Sequence, residues 1–346
     1  MKILQDNNLK KVAAIISDLG EKPFRAKQVY NDMHLGLSIS EMTDLPKSLR
    51  QELIKEYADT PCEIIKELIS VDGTRKYLFK LWDGNVIEGV VMRYKYGNTM
   101  CVSTQVGCRM GCAFCASTIG GLVRNLTAGE ILSEVLVTNR KLGGDKIRRQ
   151  ITNVVLMGSG EPLDNYENVV EFLRLLSDED GINVSPRNVS LSTCGLVPRM
   201  YDLAKERLDI NLTVSLHSPF DEKRSQIMPV AKTYKISEIL AACDNYFNIS
   251  GRRYYFEYSL ILGENDTDEC ADRLVKILKG RPCHVNLIRL NSVKEKSLSA
   301  TSDAAAQAFM KKLNDKGLSA TLRRRMGADI DGACGQLRRR FIEEGD

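Results

Sequence analysis

Long apolar runs are missing from this sequence, and a membrane protein is thereby excluded. No stretch of the 346 residues approaches the roughly 20 consecutive apolar residues that a transmembrane helix needs. The segment from Met1 to Asn8 has no apolar stretch of the kind found in secretory signals, and we see no repeats or low-complexity tracts. These absences predict a globular cytoplasmic protein without a membrane partner.

A strong excess of charge is also missing. The 49 Lys and Arg residues nearly balance 45 Asp and Glu residues, and the net charge of +4 says nothing decisive about nucleic acid. The arginines are instead clustered, at residues 148–149, 252–253, 323–325 and 338–340. Such clusters suit phosphate contacts, but each one alone is equally consistent with a solvated surface.

The composition is that of a globular enzyme, with 43% apolar and 27% charged residues. The length allows one large barrel-type domain and a small accessory one. Ten cysteines without a secretory signal indicate a reducing compartment, where cysteines more often bind metals or act in catalysis than form structural disulfides.

The periodicity predicts four parts. Residues 1–60 have helical spacing and predict a small accessory helical domain, which either binds RNA or only packs against the rest. Residues 61–98 predict a β-rich connector, since Asp72-Gly73 and Asp83-Gly84 separate three apolar runs as hairpin turns do. Residues 99–325 predict a barrel domain, and residues 326–346 a glycine-rich tail.

The barrel domain is predicted from alternating strands and helices. Strands are expected at 100–103, 154–157, 189–193, 212–217, 254–262 and 285–291, and helices at 131–140, 169–176, 200–208, 236–247 and 270–278. A last helix at 302–316 and a short strand at 319–323 follow. Six β–α units without two more indicate an α/β fold with a parallel sheet and a partial (β/α)6 barrel. The active-site residues of such sheets lie at the carboxyl ends of the strands.

One short stretch carries three thiols, Cys108, Cys112 and Cys115, at a Cys-x-x-x-Cys-x-x-Cys spacing. Thiolates are the ligands of iron–sulfur clusters, and three of them leave one iron open for a substrate. The alternatives are a zinc knuckle or three buried cysteines. Zinc sites are usually closed by a fourth Cys or His, and residues 116–139 contain neither.

Several predicted strand ends are polar. Gly160 and Glu161 follow the second strand, Ser192 lies at the end of the third, Ser215, Leu216 and His217 at the end of the fourth, and Asn291 at the end of the sixth. Small hydroxyls and an amide at this rim can hold a ribose and a carboxylate, although Ser and Thr also cap helices. Taken singly, His217 is more often a satisfied hydrogen-bonded residue than a base.

Three further residues are ambiguous by chemistry alone. Glu88 interrupts an apolar strand, and its spacing favours an outward-facing side chain over a buried functional one. Cys334 lies between small residues in the tail, which suits a mobile loop, and Cys101 precedes the three-thiol stretch. A lone cysteine is usually a small buried apolar residue.

The three-thiol stretch resembles the radical S-adenosylmethionine (radical SAM) superfamily, and Gly158-Ser159-Gly160-Glu161-Pro162 is similar to its GGEP-like motif. Five stretches together resemble one family within it, the dual-specificity RNA methyltransferases that make 2-methyladenosine in 23S rRNA and tRNA. These stretches are 101–108, 124–127, 215–218, 227–229 and 331–337, and the resemblance covers essentially the whole chain.

The resemblance implies a set of roles. One [4Fe–4S] cluster would be held by Cys108, Cys112 and Cys115, and two SAM molecules would be used per turnover. SAM would be contacted by Gly160, Glu161, Ser192, Ser215, Leu216, His217 and Asn291. Cys334 would carry a methyl group, Cys101 would form a transient disulfide with Cys334, and Glu88 would be the proton acceptor, which reverses the outward-facing interpretation.

The resemblance also implies the partners: 23S rRNA, tRNA and an external one-electron donor of the flavodoxin type, with the protein a monomer. A related resistance enzyme that methylates carbon-8 of the same adenosine shares these motifs and remains an alternative. An iron–sulfur or zinc RNA-binding protein without activity is a second alternative. A peptide maturase with auxiliary clusters is disfavoured because only Cys334 follows Cys283.

Overall fold

The structure is a computed structural model that describes residues 1–290 and 298–330 and, beyond them, Leu337 and Phe341. Asn291 and Cys334, both predicted site residues, lie outside the described residues. The helices are α1 Leu9–Asp18, α2 Phe24–His34, α3 Lys47–Glu56, α4 Ala128–Lys141, α5 Tyr166–Leu176, α6 Val197–Glu206, α7 Asp221–Ile227, α8 Ile236–Ser250, α9 Asp268–Leu278 and α10 Asp303–Asp315. The strands are β1 Cys62–Ile69, β2 Arg75–Leu81, β3 Val86–Tyr94, β4 Gly97–Cys101, β5 Gln105–Gly107, β6 Leu122–Asn125, β7 Ile151–Leu156, β8 Val189–Thr193, β9 Asn211–Ser215, β10 Tyr254–Leu260, β11 Cys283–Arg289 and β12 Ala320–Leu322.

Helices α1 to α3 share a small apolar core of their own. Val12 and Ile16 of α1 pack with Val29 of α2 and Leu53 of α3, and all four are fully buried. The start of α1 is fixed because the Asn8 side chain accepts a hydrogen bond from the Lys11 amide at 3.0 Å. The helical pattern predicted for residues 1–60 is therefore present.

A ten-stranded sheet runs through the rest of the protein, in the order β1-β2-β3-β4-β7-β8-β9-β10-β11-β12. Strands β1 to β4 pair antiparallel, and every pair from β4 to β12 is parallel. The predicted connector is thus continuous with the predicted parallel sheet, and the sheet is mixed. Crossover helices α4, α5, α6, α8, α9 and α10 complete six β–α units, which confirms the partial barrel.

Side-chain caps fix the starts of α1, α4, α9 and α10. Helix α4 begins with a capping box, in which the Glu130 amide donates to the Thr127 side chain and the Thr127 amide donates to the Glu130 carboxylate. The β5–β6 hairpin and helix α7 were not predicted from the sequence.

Among the described residues, no helix combines the length and the apolar character that crossing a membrane requires.

Candidate active site

The three-thiol loop is held between β5 and β6. Gly107 has φ +81°, and a Cβ there would lie 2.0 Å from the Gly121 carbonyl oxygen, so the close pairing of the two strands requires glycine. The Cys108 amide donates to that same oxygen at 3.0 Å. At the far end, the Thr118 hydroxyl donates to the Cys115 carbonyl at 2.9 Å. The loop is therefore closed at both ends by backbone contacts.

Cys108, Cys112 and Cys115 all line one cavity of about 380 Å³ at the carboxyl ends of the parallel strands. Burial raises the pKa of the Cys108 thiol to about 12 and that of the Cys112 thiol further, and the neighbouring thiols add to both shifts. No three His, Cys, Asp or Glu side chains among the described residues are grouped around a single-ion position. A [4Fe–4S] cluster is bound instead through cysteine thiolates on its several irons, and three thiols on one cavity wall fit it.

The strand ends after β7 and β8 form the next part of the wall. Gly160 and Glu161 line the cavity, with Gly160 at φ +109°. The buried Glu161 carboxylate accepts from the Leu163 amide at 3.0 Å and from the Cys194 amide at 2.7 Å. Burial raises the pKa of Glu161, and the amide of Cys194 opposes this shift. Glu161 therefore joins two strand ends as well as facing the cavity.

Ser192, Ser215 and His217 line the same cavity, so the polar strand ends predicted from the sequence do meet. Leu216 differs, because its side chain is fully buried in the main apolar core and does not face the cavity. It reaches the site only through its backbone, whose amide donates to the Glu257 carbonyl at 3.0 Å.

His217 is a satisfied residue with a fixed ring, as expected for a single histidine. Its Nδ1 accepts from the Ser259 amide at 2.9 Å, and its ring lies edge-on to Phe114 of the thiol loop, with centroids 4.7 Å apart. Burial, together with the Arg224 charge, lowers the pKa of His217 to about 3. The imidazole is therefore neutral and holds the thiol loop against β9 and β10.

Glu88 is buried, so the outward-facing interpretation from spacing alone is wrong. Its carboxylate lies 2.8 Å from the Lys76 ammonium, and both side chains are almost fully buried. Spacing misled because both faces of β3 are covered: Ile87 packs in the main core, while Val86 packs against Leu337 of the tail. Glu88 shares its face of β3 with Val90 and Met92, which line the cavity.

Cys101, at the end of β4, is a further thiol in the cavity wall. It packs against Val90 and Val155 and is buried. Its predicted disulfide partner, Cys334, lies outside the described residues. The predicted disulfide is therefore not part of the described structure.

Sequence reasoning missed Glu257 of β10 and Arg289 of β11, which also line the cavity. Glu257 accepts from the Asn286 side chain at 3.1 Å and lies 3.5 Å from the Arg323 guanidinium. The signal was available, since Glu257 interrupts an apolar strand as Glu88 does. Burial raises the pKa of Glu257, and Arg323 opposes that shift.

Of the three arginine clusters that the structure describes, one is found at the cavity. Residues 323–325 line it. Residues 148–149 and 252–253 instead precede β7 and β10, at the opposite ends of the strands, where Arg149 donates to the Ile182 carbonyl and Arg252 to the Asn211 side chain. The fourth cluster, 338–340, lies outside the described residues.

Both ends of the described part of the tail contact the antiparallel strands. The Asp329 carboxylate accepts from the Ser70 hydroxyl and from the Val71 amide, the latter at 3.1 Å, in the β1–β2 turn. The Gly327 amide donates to Asp72 of the same turn at 2.8 Å. Leu337 then packs on Leu78 and Val86. Both anchors of the tail are thus on the part of the sheet that carries Glu88.

The partial barrel and its three-thiol loop define a radical SAM enzyme. The family model described as Radical SAM superfamily matches residues 102–275, and the one described as Ribosomal RNA large subunit methyltransferase N-terminal domain matches residues 3–58. A crystal structure of a radical SAM methyltransferase from Sphaerobacter thermophilus superposes with a TM-score of 0.92 at 41% identity, over 97% of this chain and 99% of that one.

Curated relatives match over the full length. A probable dual-specificity RNA methyltransferase RlmN from Clostridium perfringens is 49% identical over 99% of this chain and 98% of the relative. One from Lachnospira eligens is 46% identical over 100% and 98%. The chain belongs to the RlmN family of dual-specificity RNA methyltransferases.

Proposed function

We propose that this enzyme methylates carbon-2 of an adenosine in the peptidyl-transferase centre of 23S rRNA and of the adenosine 3′ of the anticodon in tRNAs. The observation that carries the proposal is Cys101, a thiol outside the three-cysteine motif on the wall of the cavity that is also lined by Cys108, Cys112 and Cys115. Neither cluster binding nor SAM binding needs this thiol. A thiol at that position suits a route in which the base is bound covalently to a cysteine and then released.

The chemistry of the target carbon favours a covalent route. Carbon-2 of adenine is electron-poor and has no acidic proton, so polar transfer from the methylsulfonium group of SAM does not reach it. When bound, the cluster supplies the one electron that splits SAM into methionine and a 5′-deoxyadenosyl radical. Cys108, Cys112 and Cys115 would hold the cluster. SAM would lie against the wall formed by Gly160, Glu161, Ser192 and the 215–217 strand end, with Asn291 as a further contact.

Cys334 is the proposed carrier of the methyl group. Its thiolate attacks the methyl group of a first SAM, so that a sulfur–carbon bond forms and S-adenosylhomocysteine leaves. The radical from a second SAM removes a hydrogen atom from this methyl group, and the resulting methylene carbon adds to carbon-2. The enzyme and the RNA are then covalently joined.

Glu88 and Cys101 would release the product. One electron passes from the adduct radical to the oxidised form of the external flavodoxin-type carrier, and Glu88 takes the proton from carbon-2. The Cys101 thiolate then attacks the sulfur of Cys334, which breaks its bond to the methylene carbon. The methylene carbon keeps the electron pair of that bond and takes a proton from water, so that it stays on the base as the methyl group. A Cys101–Cys334 disulfide forms, which an external dithiol reduces. The burial of Glu88 and the tail anchor at Leu337 on the same strand support these roles.

The RNA would be held from outside the cavity. The base must leave its stack to enter a site this enclosed. Arginines 323–325 at the cavity wall are suited to its phosphates, and the helical unit 1–60 would contact the RNA shape. We propose a cytoplasmic monomer that takes electrons from a flavodoxin-like donor.

The test uses anaerobic protein with a reconstituted cluster, SAM, a reductant and protein-free 23S rRNA or tRNA. Digested nucleosides are compared by mass spectrometry with 2-methyladenosine and 8-methyladenosine standards. We expect 2-methyladenosine from both RNAs, none from Cys108→Ala, and normal yield from Cys283→Ala, which alters a thiol at the opposite end of a strand. Product at carbon-8 would refute the regiochemistry. SAM cleavage without any methyladenosine would refute the substrate.

A further inference from the structure

Helix α7 lies directly against the three-thiol loop. The Ala113 amide, between the second and third cysteines, donates to the Ile227 carbonyl at 2.8 Å. A Cβ at Gly111 would come 3.3 Å from the Pro229 ring, so the two segments are in close contact. Met228 packs in one apolar cluster with Cys112 and Cys194. The end of α7 therefore sets the position of the loop.

The same helix is tied to two strand ends by Arg224, whose side chain is fully buried. Its Nε donates to the Leu216 carbonyl at 3.1 Å, and its Nη2 donates to the carbonyls of Cys194 at 2.7 Å and Ser215 at 3.1 Å. The Cys194 amide in turn donates to Glu161. One guanidinium thus joins the ends of β8 and β9, which form the proposed SAM wall, to the helix that holds the thiol loop.

Among the residues that the structure describes, no carboxylate is paired with the Arg224 guanidinium. The acidic groups that act on it are the thiols of Cys194 and Cys112 and, more weakly, the carboxylate of Asp221, which accepts from the Ile236 amide. Its Nη1 is buried and has no hydrogen-bond partner among the described residues. A buried cation without a counter-charge is costly, so a negative group beside it is expected. A cluster held by Cys112 would be that group.

We propose that Arg224 is a positioning residue that supplies the buried counter-charge of the cluster and fixes the SAM wall relative to the thiol loop. The inference rests on the proposed assignment of Cys108, Cys112 and Cys115 as cluster ligands. Reduction adds one electron to a cluster that already carries thiolate charge. A cation nearby favours the reduced form, because the net charge around a cluster sets its potential.

The test compares wild type, Arg224→Gln and Arg224→Lys, each reconstituted anaerobically. Iron content is measured first, then the midpoint potential of the one-electron couple in a dithionite titration followed by electron paramagnetic resonance, then SAM affinity. We expect Arg224→Gln to hold full iron with a more negative midpoint. Arg224→Lys keeps the charge and should keep the midpoint, but its shorter stem should weaken SAM binding several-fold.

Lys223→Gln is the matched control, since it removes one charge from the same helix without touching either strand end. Its midpoint should equal that of wild type. An unchanged midpoint in Arg224→Gln would overturn the counter-charge role, and unchanged SAM affinity in Arg224→Lys would overturn the positioning role. If Arg224→Gln does not fold, a midpoint in Arg224→Lys that differs from that of wild type overturns the counter-charge role. Failure of wild type to hold iron would instead refute the cluster assignment.

Discussion

Residues of one type have separate roles in this protein because of where the fold places them. Cys62, Cys243, Cys270 and Cys283 are packed in the main apolar core. Cys108, Cys112 and Cys115 instead meet at one cavity, together with Cys101, which precedes β5, and Cys194, which follows β8. Sequence spacing identifies a three-cysteine motif, but only the fold shows which isolated cysteines join it.

Replacing Cys101 separates formation of the enzyme–RNA bond from release of the methylated RNA. We expect Cys101→Ala to methylate Cys334 and to form the RNA adduct, because neither step uses Cys101, and then to stop. The adduct should accumulate as a protein band of low mobility in a denaturing gel that RNase treatment restores. Cys101→Ala combined with Cys334→Ala should give no such band, and Cys283→Ala should turn over normally. Wild-type turnover by Cys101→Ala would contradict the release role.

At the residue scale, the orientation of Glu88 is a feature that sequence spacing did not predict. The cysteine motif and the glycines around it are local, because the chemistry needs those residues at that spacing. The environment of Glu88 is set by Lys76 on the neighbouring strand, and its own strand is covered at Val86 by a tail residue about 250 positions away, Leu337. The sequence of a single strand does not indicate either of these contacts, so only the family resemblance corrected the predicted orientation of Glu88.

At the scale of elements, short segments with tertiary contacts connect the site. Helix α7 has seven residues and β5 has three, and both are too short for periodicity to detect. Their stability comes from contacts such as those of Arg224 and Gly107 rather than from propensity. The long crossover helices and central strands were predictable because each one buries a regular apolar stripe.

The β1–β2 turn is the element that anchors the tail, and its removal is testable. Asp329→Ala loses the bonds to the Ser70 hydroxyl and the Val71 amide, so the tail should leave the sheet more often. We expect RNA methylation to fall several-fold, while iron content and RNA-independent SAM cleavage stay unchanged. The methylation rate, the iron content and the SAM cleavage are measured in parallel on Asp315→Ala. This variant is the matched control, because it loses a surface ion pair on α10. An equal methylation rate in the two variants would show that the turn does not guide the tail.

At the scale of the whole molecule, the N-terminal helices are fixed to the barrel by specific polar contacts. The Tyr30 hydroxyl donates to Asp178 at 2.8 Å, the Gly129 amide donates to Asp6 at 2.6 Å, and Arg140 pairs with Glu41 at 2.9 Å. The sequence predicted the helices but not this docking, because each partner is remote in the chain. A firmly docked unit suits recognition of RNA at a fixed distance from the cavity.

His34 makes this docking sensitive to pH. It is buried at the end of α2, and its Nδ1 accepts from the Ile182 amide of the barrel at 3.0 Å. A Cβ at Gly181 would lie 2.6 Å from the His34 ring, so the contact is tight. Burial lowers the pKa of His34 to about 4 from an ordinary value of 6.5, and the Lys146 charge adds to the effect. The docked state therefore requires the neutral ring.

Because the folded pKa is depressed, the unfolded chain binds the extra proton between pH 6.5 and pH 4, and stability falls as pH falls through this range. Between pH 7.5 and 5.5 we expect His34 to account for a loss of about 1 kcal/mol in the free energy of unfolding. Urea unfolding at the two pH values measures it. In His34→Gln the amide oxygen can still accept from Ile182 but does not titrate, so this part of the pH dependence should disappear. An unchanged pH dependence in His34→Gln would mean that other groups govern acid stability.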